Sequence, residues 1–290
     1  MTDGALIGPV TAPDLHVMTY NIRRRFPPFR PGSPDHWGTR KLLVSRILAA
    51  EQPTLLGVQE ALADQVDFVA DTLGSRYRWV GHGRNAAGED ESCAVFYDSD
   101  RLELTDWQQR ALSKTPHKAG SRSWGNLAQR VVVSAEFTDT ATGARLLAFN
   151  THFDHLSWRS RRESASFLLD LVGAAREAEP EAAIVVTGDF NADAGAAVYR
   201  PLMAEGALRD TWEAAEERLT PQWGTFSNYR RSRQGGKRID LILVGQGVDV
   251  TSTGINAARF EGRAASDHEP VQAVLRYAAR RFSTRPEVLP

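Results

Sequence analysis

Apolar residues recur in short runs along the chain, and most runs end in a polar side chain. Nine of these runs read as β-strands: His16–Tyr20, Leu55–Gln59, Tyr77–Val80, Ala94–Tyr97, Arg130–Phe137, Leu146–Thr151, Ala183–Thr187, Ile239–Val244 and Pro270–Leu275. Each is rich in Val, Ile, Leu or aromatics and is bounded by Gly, Asp or Pro. Helical spacing predicts Arg40–Glu51, with Leu42, Leu43, Ile47 and Leu48 on one face and Pro53 as the stop. It also predicts Gln65–Leu73, ended by Gly74, and Arg159–Glu179, closed by Pro180, with Val198–Glu205 as a shorter helix. Some strands follow one another directly, as around residues 77–97 and 130–151, which argues for mixed rather than purely parallel sheets. The expected fold is α/β (α+β): two mixed sheets packed face to face with helices outside.

No internal repeat, low-complexity tract or long linker interrupts the pattern. Residues 1–13, rich in Gly, Pro and Thr, read as a flexible lead-in. Residues 14–280 form the expected domain and residues 281–290 a tail. A chain of 290 residues with 42% hydrophobic and 24% charged residues can bury a core without disulfides or structural metal. The balance of 35 Lys+Arg against 36 Asp+Glu gives −1, which excludes duplex nucleic-acid binding by bulk charge but leaves room for a local basic groove. A single cysteine, Cys93, excludes an intramolecular disulfide and a cysteine-rich zinc site; it reads as a small buried apolar residue. No basic leader precedes an apolar stretch, and no run approaches ~18 apolar residues, so the expectation is a cytoplasmic protein without a membrane span.

Candidate chemistry sits where the strands stop. Six segments place polar residues there: Tyr20-Asn21-Ile22, Val58-Gln59-Glu60, Asn150-Thr151-His152, Gly188-Asp189-Phe190-Asn191, Arg238-Ile239-Asp240 and Ser266-Asp267-His268. The oxygen donors Asn21, Glu60, Asp189, Asn191, Asp240 and Asp267 suit Mg²⁺ or Mn²⁺ rather than zinc. Carboxylates gathered in one cleft stay ionised only if a cation or buried donors compensate them.

The stretches MTYNIR (18–23), GVQEA (57–61), NTHFDH (150–155), GDFNAD (188–193), RIDLILV (238–244) and SDHEPV (266–271) together resemble the endonuclease/exonuclease/phosphatase superfamily. They occur in its order and span residues 18–271. The resemblance implies a four-layer αββα sandwich with the site at one end. It implies that Glu60 is the main metal carboxylate, with Asn21 and Asp267 assisting. Asp189 would orient or deprotonate the attacking water and also touch metal. Asn191 would donate to the phosphate or the leaving oxygen. His268 would contact the scissile phosphate, its tautomer and charge fixed by Asp240. His152 matches the branches that use histidine at this place, and Glu91, six residues before Tyr97, is the expected partner of His152. Arg130 resembles an arginine near the phosphate.

Simpler readings stand beside these. Asn21 suits a strand-end turn, Asp193 a helix N-cap, and Asp154 with His155 a turn after the strand. Glu91 lies in the acidic run Glu89-Asp90-Glu91, which suits a solvated loop. His16, His36, His82 and His117 read as surface or satisfied residues. Arg23, Arg24 and Arg25 follow Asn21, and Arg230, Arg231, Arg233, Lys237 and Arg238 precede Asp240; either run suits an anionic substrate or plain surface. Trp37, Trp124 and Trp158 suit stacking on a base or sugar, or capping the core. Arg23, Asp154 and Trp124 are therefore candidate substrate contacts.

The segment LSKTPHKAGSRSWGN (112–126) resembles a bacterial branch of the superfamily without an established general substrate; Lys114 would make the mouth more cationic. The first expectation is a monomeric Mg²⁺- or Mn²⁺-dependent phosphoester hydrolase. Its substrate would be a sugar or inositol phosphate, a nucleotide or a lipid head group. A nuclease for DNA or RNA is the second reading, and a non-catalytic binding protein on the same scaffold the third.

Overall fold

A computed structural model describes residues 4–27 and 32–277. In chain order the elements are β1 (Leu15–Asn21), α1 (Trp37–Glu51), β2 (Leu55–Gln59), α2 (Ala63–Leu73), β3 (Tyr77–Val80), β4 (Val95–Asp98), β5 (Leu102–Ala111), β6 (Val131–Asp139) and β7 (Arg145–His152). There follow α3 (Trp158–Ala178), β8 (Ala183–Asp189), α4 (Arg200–Met203), β9 (Arg209–Asp210), α5 (Thr211–Ala214), β10 (Glu217–Arg218), β11 (Asp240–Val244), β12 (Val248–Ile255) and β13 (Val271–Tyr277). The strands form a seven-stranded sheet, β10-β12-β13-β1-β2-β4-β3, and a six-stranded sheet, β5-β6-β7-β8-β11-β9. Both are mixed: β1 with β2 and β7 with β8 run parallel, while their other pairings in the sheet interiors are antiparallel.

Alternation of side chains along each strand builds the layers. The inward faces supply Val17, Leu55, Val133, Ala148, Val185, Ile242 and Ala273, which form one cluster between the sheets. The outward residues Leu147, Val186 and Leu243 pack on Leu168 and Val172 of α3. Met18, Leu56 and Phe96 pack on Val44 and Leu48 of α1 and Val66 and Val69 of α2. The result is the expected four-layer sandwich, in which each fully buried Val or Leu contributes roughly 1.5–3 kcal/mol.

Near one end of this core the inward residues become polar. Asn150 of β7 reaches across to the other sheet, donating from Nδ2 to the carbonyls of Val58 (2.9 Å) and Ala94 (3.0 Å). Its Oδ1 accepts from Gln59 Nε2 (2.7 Å) and Thr187 Oγ1 (3.1 Å). Only a glycine fits opposite: a Cβ on Gly57 would lie 2.2 Å from Thr187 Oγ1 and 2.7 Å from Asn150 Oδ1. At the far end, Asp139 of β6 takes two bonds from Arg101 (2.6 and 2.8 Å) and one from the Tyr277 hydroxyl of β13 (2.7 Å). Polar ties thus bracket the inter-sheet core at both ends.

The structure differs from the sequence reading in several places. Leu102–Ala111 and Val248–Ile255 are strands that the apolar pattern does not show, because β5 is a sheet edge with mostly wet side chains and β12 is rich in Thr, Ser and Gly. The helix expected over Val198–Glu205 is broken into a 3₁₀ turn, the four-residue α4 and another 3₁₀ turn, with Pro201 inside. Part of the N-terminal lead-in is held in place: the N–H groups of Leu6, Ile7 and Gly8 donate to the buried Glu51 carboxylate at 2.7–3.1 Å. His16 is buried, with its ring nitrogens on Gly8 O and Gln272 Oε1. The tail 281–290 lies outside the described residues. No helix among the described residues is long and apolar enough to cross a membrane.

Candidate active site

Sheet register brings the strand ends together. His152 lies opposite Asp189 across the parallel β7–β8 pair, and Asp189 lies opposite Asp240 across β8–β11. In the other sheet Asn21 lies opposite Gln59, one residue before Glu60. Asn21, His152, Asp189 and Asp240 all fall on the inward face at the same end of the core. Asn21 joins the halves: its Nδ2 donates to Glu60 Oε1 at 3.1 Å and to Asp189 Oδ2 at 3.0 Å.

Asp240 Oδ2 accepts from His268 Nδ1 at 2.9 Å, and His268 Nε2 faces Asp189 Oδ2 at 3.7 Å. Burial disfavours a charged His268 ring, but Asp240 and Asp189 outweigh it and hold its pKa well above the ordinary value. Asp189, pressed by burial and by Asp240, is pushed up to about 7 despite help from His268 and the Asn191 N–H. His152, 3.6 Å from Asp189, goes the other way: burial, Arg130 and Arg84 hold it well below the ordinary histidine value. The same end of the core thus pushes its two histidines in opposite directions, His268 toward the charged form and His152 toward the neutral one.

The turns carrying these groups are fixed from behind. Phe190 packs on Phe153 and Tyr199, and the Tyr199 hydroxyl donates to Phe190 O. Asn191, in a left-handed conformation at φ 52°, donates its N–H to Asp189 Oδ1 (2.9 Å) and one amide hydrogen to Phe153 O (2.9 Å). Its other amide hydrogen takes no bond among the described residues. Thr225 Oγ1 accepts the N–H groups of Ile239 (2.9 Å) and Asp240 (3.0 Å). The next residue, Phe226, is 49% exposed and its ring centre lies 4.9 Å from that of His268. Buried Arg40 donates to the carbonyls of Ile22, Arg23 and Arg24, which fixes the loop after β1.

Five expected roles change. Glu91 does not pair with His152; it binds Arg24 (2.9 Å) and Arg84 (2.7 Å), since two guanidiniums compensate a buried carboxylate better than a ring that burial keeps neutral. Arg23 is not free for substrate, because its guanidinium lies 3.5–3.7 Å from Asp267, Glu60 and Asp35. Asp154 turns away into its own loop, where Oδ1 accepts from the N–H groups of Leu156 (2.9 Å) and Ser157 (2.6 Å). Trp124 packs against the α3 side of the core rather than standing open. Asn21 presents its amide nitrogen to the acids, and its Oδ1 takes the Arg23 N–H at 3.0 Å, so in this arrangement it braces Glu60 and Asp189 rather than offering them a shared ligand oxygen.

Arg84, Asn150, Thr225 and Phe226 escape the sequence reading. Asn150 stands inside the recognised NTHFDH stretch, two residues before His152, and only that position hinted at it. Arg84 lies in the loop between β3 and β4 with no strand to place it.

The acids suit a hard cation. Arg23 bridges Glu60 and Asp267, marking a place where these carboxylates draw positive charge. Asp189, Asp240 and His268 also lie close enough to share an ion. Within that trio Asp240 already takes the His268 Nδ1–H at 2.9 Å, which leaves Nε2 as the ring atom facing Asp189.

A two-sheet sandwich with carboxylates, amides and imidazoles gathered at one end is the architecture of phosphoester hydrolases. The chain belongs to the Endonuclease/Exonuclease/phosphatase family, whose model matches residues 18–268. A family protein from Bacteroides vulgatus superposes with a TM-score of 0.82 at 31% identity, covering 91% of this chain and 99% of that one. The mannosyl-6-phosphatase Bt3783 of Bacteroides thetaiotaomicron superposes with a TM-score of 0.83 at 28% identity, covering 91% of this chain and 100% of that one. Nocturnin of Drosophila melanogaster is 23% identical over 186 residues, which are 60% of this chain and only 27% of that relative.

Proposed function

We propose that the chain is a divalent-metal-dependent phosphoester hydrolase acting on a small phosphorylated molecule, with a sugar phosphate as the nearest class. The observation that carries this is Asn21 holding Glu60 and Asp189 together beside the His268–Asp240 pair. A net charge of −1 and the likeness to a sugar phosphatase favour a small substrate over duplex nucleic acid.

Glu60 and Asp267, with Asp189 alongside, would hold Mg²⁺ or Mn²⁺, and Asn21 would keep the carboxylates in place. The ion when bound supplies charge neutralisation at the phosphoryl oxygens and a lower pKa for the attacking water. Asp189 orients that water and accepts its proton as oxygen attacks phosphorus. The bond from phosphorus to the ester oxygen breaks with its electron pair staying on that oxygen, which becomes an alcohol on protonation. Ester and water thus give alcohol and inorganic phosphate. Protonated His268 and the free Asn191 amide hydrogen stabilise the charge that grows on oxygen. Neutral His152 donates one hydrogen bond to a phosphoryl oxygen.

Hydrolysis of p-nitrophenyl phosphate and sugar phosphates with added Mg²⁺ or Mn²⁺ tests the reading. Chelator should abolish turnover and Mg²⁺ should restore it. Undiminished turnover in excess chelator would falsify the metal-dependent mechanism.

A further inference from the structure

The two members of the imidazole–carboxylate pair belong to different layers. Asp240 opens β11 of the six-stranded sheet, whereas His268 stands shortly before β13 of the seven-stranded one. The bond between them therefore depends on how the two sheets are set against each other at this point. Pairing with β8 holds Asp240 within its own sheet but does not relate it to His268. The Asp240 carboxylate takes the His268 Nδ1–H on Oδ2, while its Oδ1 is buried with no hydrogen-bond partner. Its aim is thus set by its backbone rather than by a second donor.

That backbone is tied to the His268 segment through one side chain. Thr225 lies in the long loop between β10 and β11 and is fully buried. Its Oγ1 accepts the N–H groups of Ile239 (2.9 Å) and Asp240 (3.0 Å), and its own N–H donates to Lys237 O at 3.0 Å. Its carbonyl accepts the Glu269 N–H at 2.9 Å, one residue past His268. The next residues continue the contact: the Phe226 backbone pairs with that of His268, and the N–H groups of Ser227 and Asn228 donate to Asp267 O at 2.9 and 3.0 Å. A hydroxyl oxygen has two lone pairs, enough for two consecutive N–H groups, and an isosteric valine has none. Buried N–H groups left without an acceptor must move to find one.

We propose that Thr225 is a positioning residue for the proposed hydrolysis: its hydroxyl oxygen and its carbonyl set the separation of Asp240 and His268, and through them the aim of the imidazole. The inference rests on the hydrolase reading and deepens it with a residue that touches no substrate.

The test follows p-nitrophenyl phosphate hydrolysis in saturating Mg²⁺ for wild type, Thr225→Val, Thr225→Ser and Thr225→Ala. Melting temperatures are measured alongside, with the NMR signal of the His268 Nδ1–H proton, assigned by its absence in His268→Asn. Thr225→Val should lower kcat by about 10–100-fold with KM changed less than about threefold, because a small misplacement of a catalytic group costs that much. Thr225→Ser should return kcat to within about threefold of wild type. Thr225→Ala leaves space for a water to accept the two N–H groups, so it replaces the valine variant if that one does not fold; it should still lose at least about fivefold in kcat. In an Asp240→Asn background, Thr225→Val should cost less than about threefold more, since the two changes act on one interaction. The Nδ1–H signal should shift or broaden in Thr225→Val and return in Thr225→Ser.

A folded Thr225→Val with a lower melting temperature and kcat within threefold of wild type would overturn the proposal in favour of a purely structural role. A rise in KM alone would assign the effect to Phe226 and overturn it too, as would full additivity with Asp240→Asn or an unchanged Nδ1–H signal. Each of these leaves the hydrolase reading intact. A wild type that hydrolyses no phosphoester, with the signal still altered in Thr225→Val, would overturn the hydrolase reading and keep the tie between Thr225 and the pair.

Discussion

His268 Nδ1 donates to Asp240 Oδ2 at 2.9 Å, and both side chains are buried. The ring is therefore held in one orientation and its charged form is favoured, with its Nε2 edge facing Asp189 Oδ2 at 3.7 Å. Replacing Asp240 by Asn preserves the shape but removes the charge that opposes deprotonation. His268 then loses its proton at lower pH. The alkaline limb of the rate profile should move to lower pH in Asp240→Asn, with kcat down by about 10²–10⁴-fold. An unchanged alkaline limb would remove His268 as the charged group.

In the proposed mechanism Asp189 accepts the proton of the attacking water. Asp189→Ala should lower kcat by about 10²–10⁴-fold with the melting temperature not reduced, since burial of this carboxylate is itself unfavourable. Turnover within threefold of wild type would exclude it as the base.

Phe226 lies half-exposed against the ring of His268. A side chain that contacts the organic part of the substrate affects binding more than chemistry. Phe226→Ala should raise KM several-fold for a sugar phosphate and leave KM for a bare aryl phosphate nearer to wild type. A fall in kcat on both substrates at constant KM would instead mean that the ring serves only to position His268.

Gly57 faces Asn150 and Thr187 across the interface between the sheets. Gly57→Ala has no room at a contact of 2.2 Å, and the neighbouring side chains are tied by hydrogen bonds. It should lose about 1–3 kcal/mol in denaturant unfolding, because overpacking forces the polar network apart. A stability equal to wild type would show that the network can yield.

Asp139 sits below the usual carboxylate pKa: burial would raise it, but Arg101 and the Tyr277 hydroxyl bring it down. Its folded pKa is below its unfolded one, so its stabilisation is present above the unfolded value and is lost as pH falls through the folded value. Asp139→Asn should flatten the acid end of the stability-against-pH curve relative to wild type. Parallel curves over the acid range would contradict this assignment.

The sandwich was legible because the interior strands bury both faces and so appear as continuous apolar runs. β5 was hidden because nearly all of its side chains meet solvent at the sheet edge, so neither face leaves an apolar trace. Asn21, Glu60, Asp189 and His268 could be picked out because each stands in a recognisable stretch at a strand boundary: Asn21 and Asp189 close β1 and β8, Glu60 follows β2, and His268 comes shortly before β13. Glu91 was assigned the wrong partner because spacing along a strand says nothing about loops that fold over it. Arg24 and Arg84 reach Glu91 from two such loops. Of the two readings of Trp124, stacking on substrate or capping the core, the structure matches the second, because it packs half-buried against the cluster that includes Leu168 and Val172.

The cross-sheet bonds of Asn150 have a consequence for how the enzyme can work at all. Asn21 and Glu60 ride on one sheet, and His152, Asp189 and Asp240 on the other. Any sliding of one layer past its neighbour would tear the catalytic group in two. The Asn150 amide keys the layers together just beneath the reacting atoms, and with the Asp139 tie at the far end it makes the two sheets one jig.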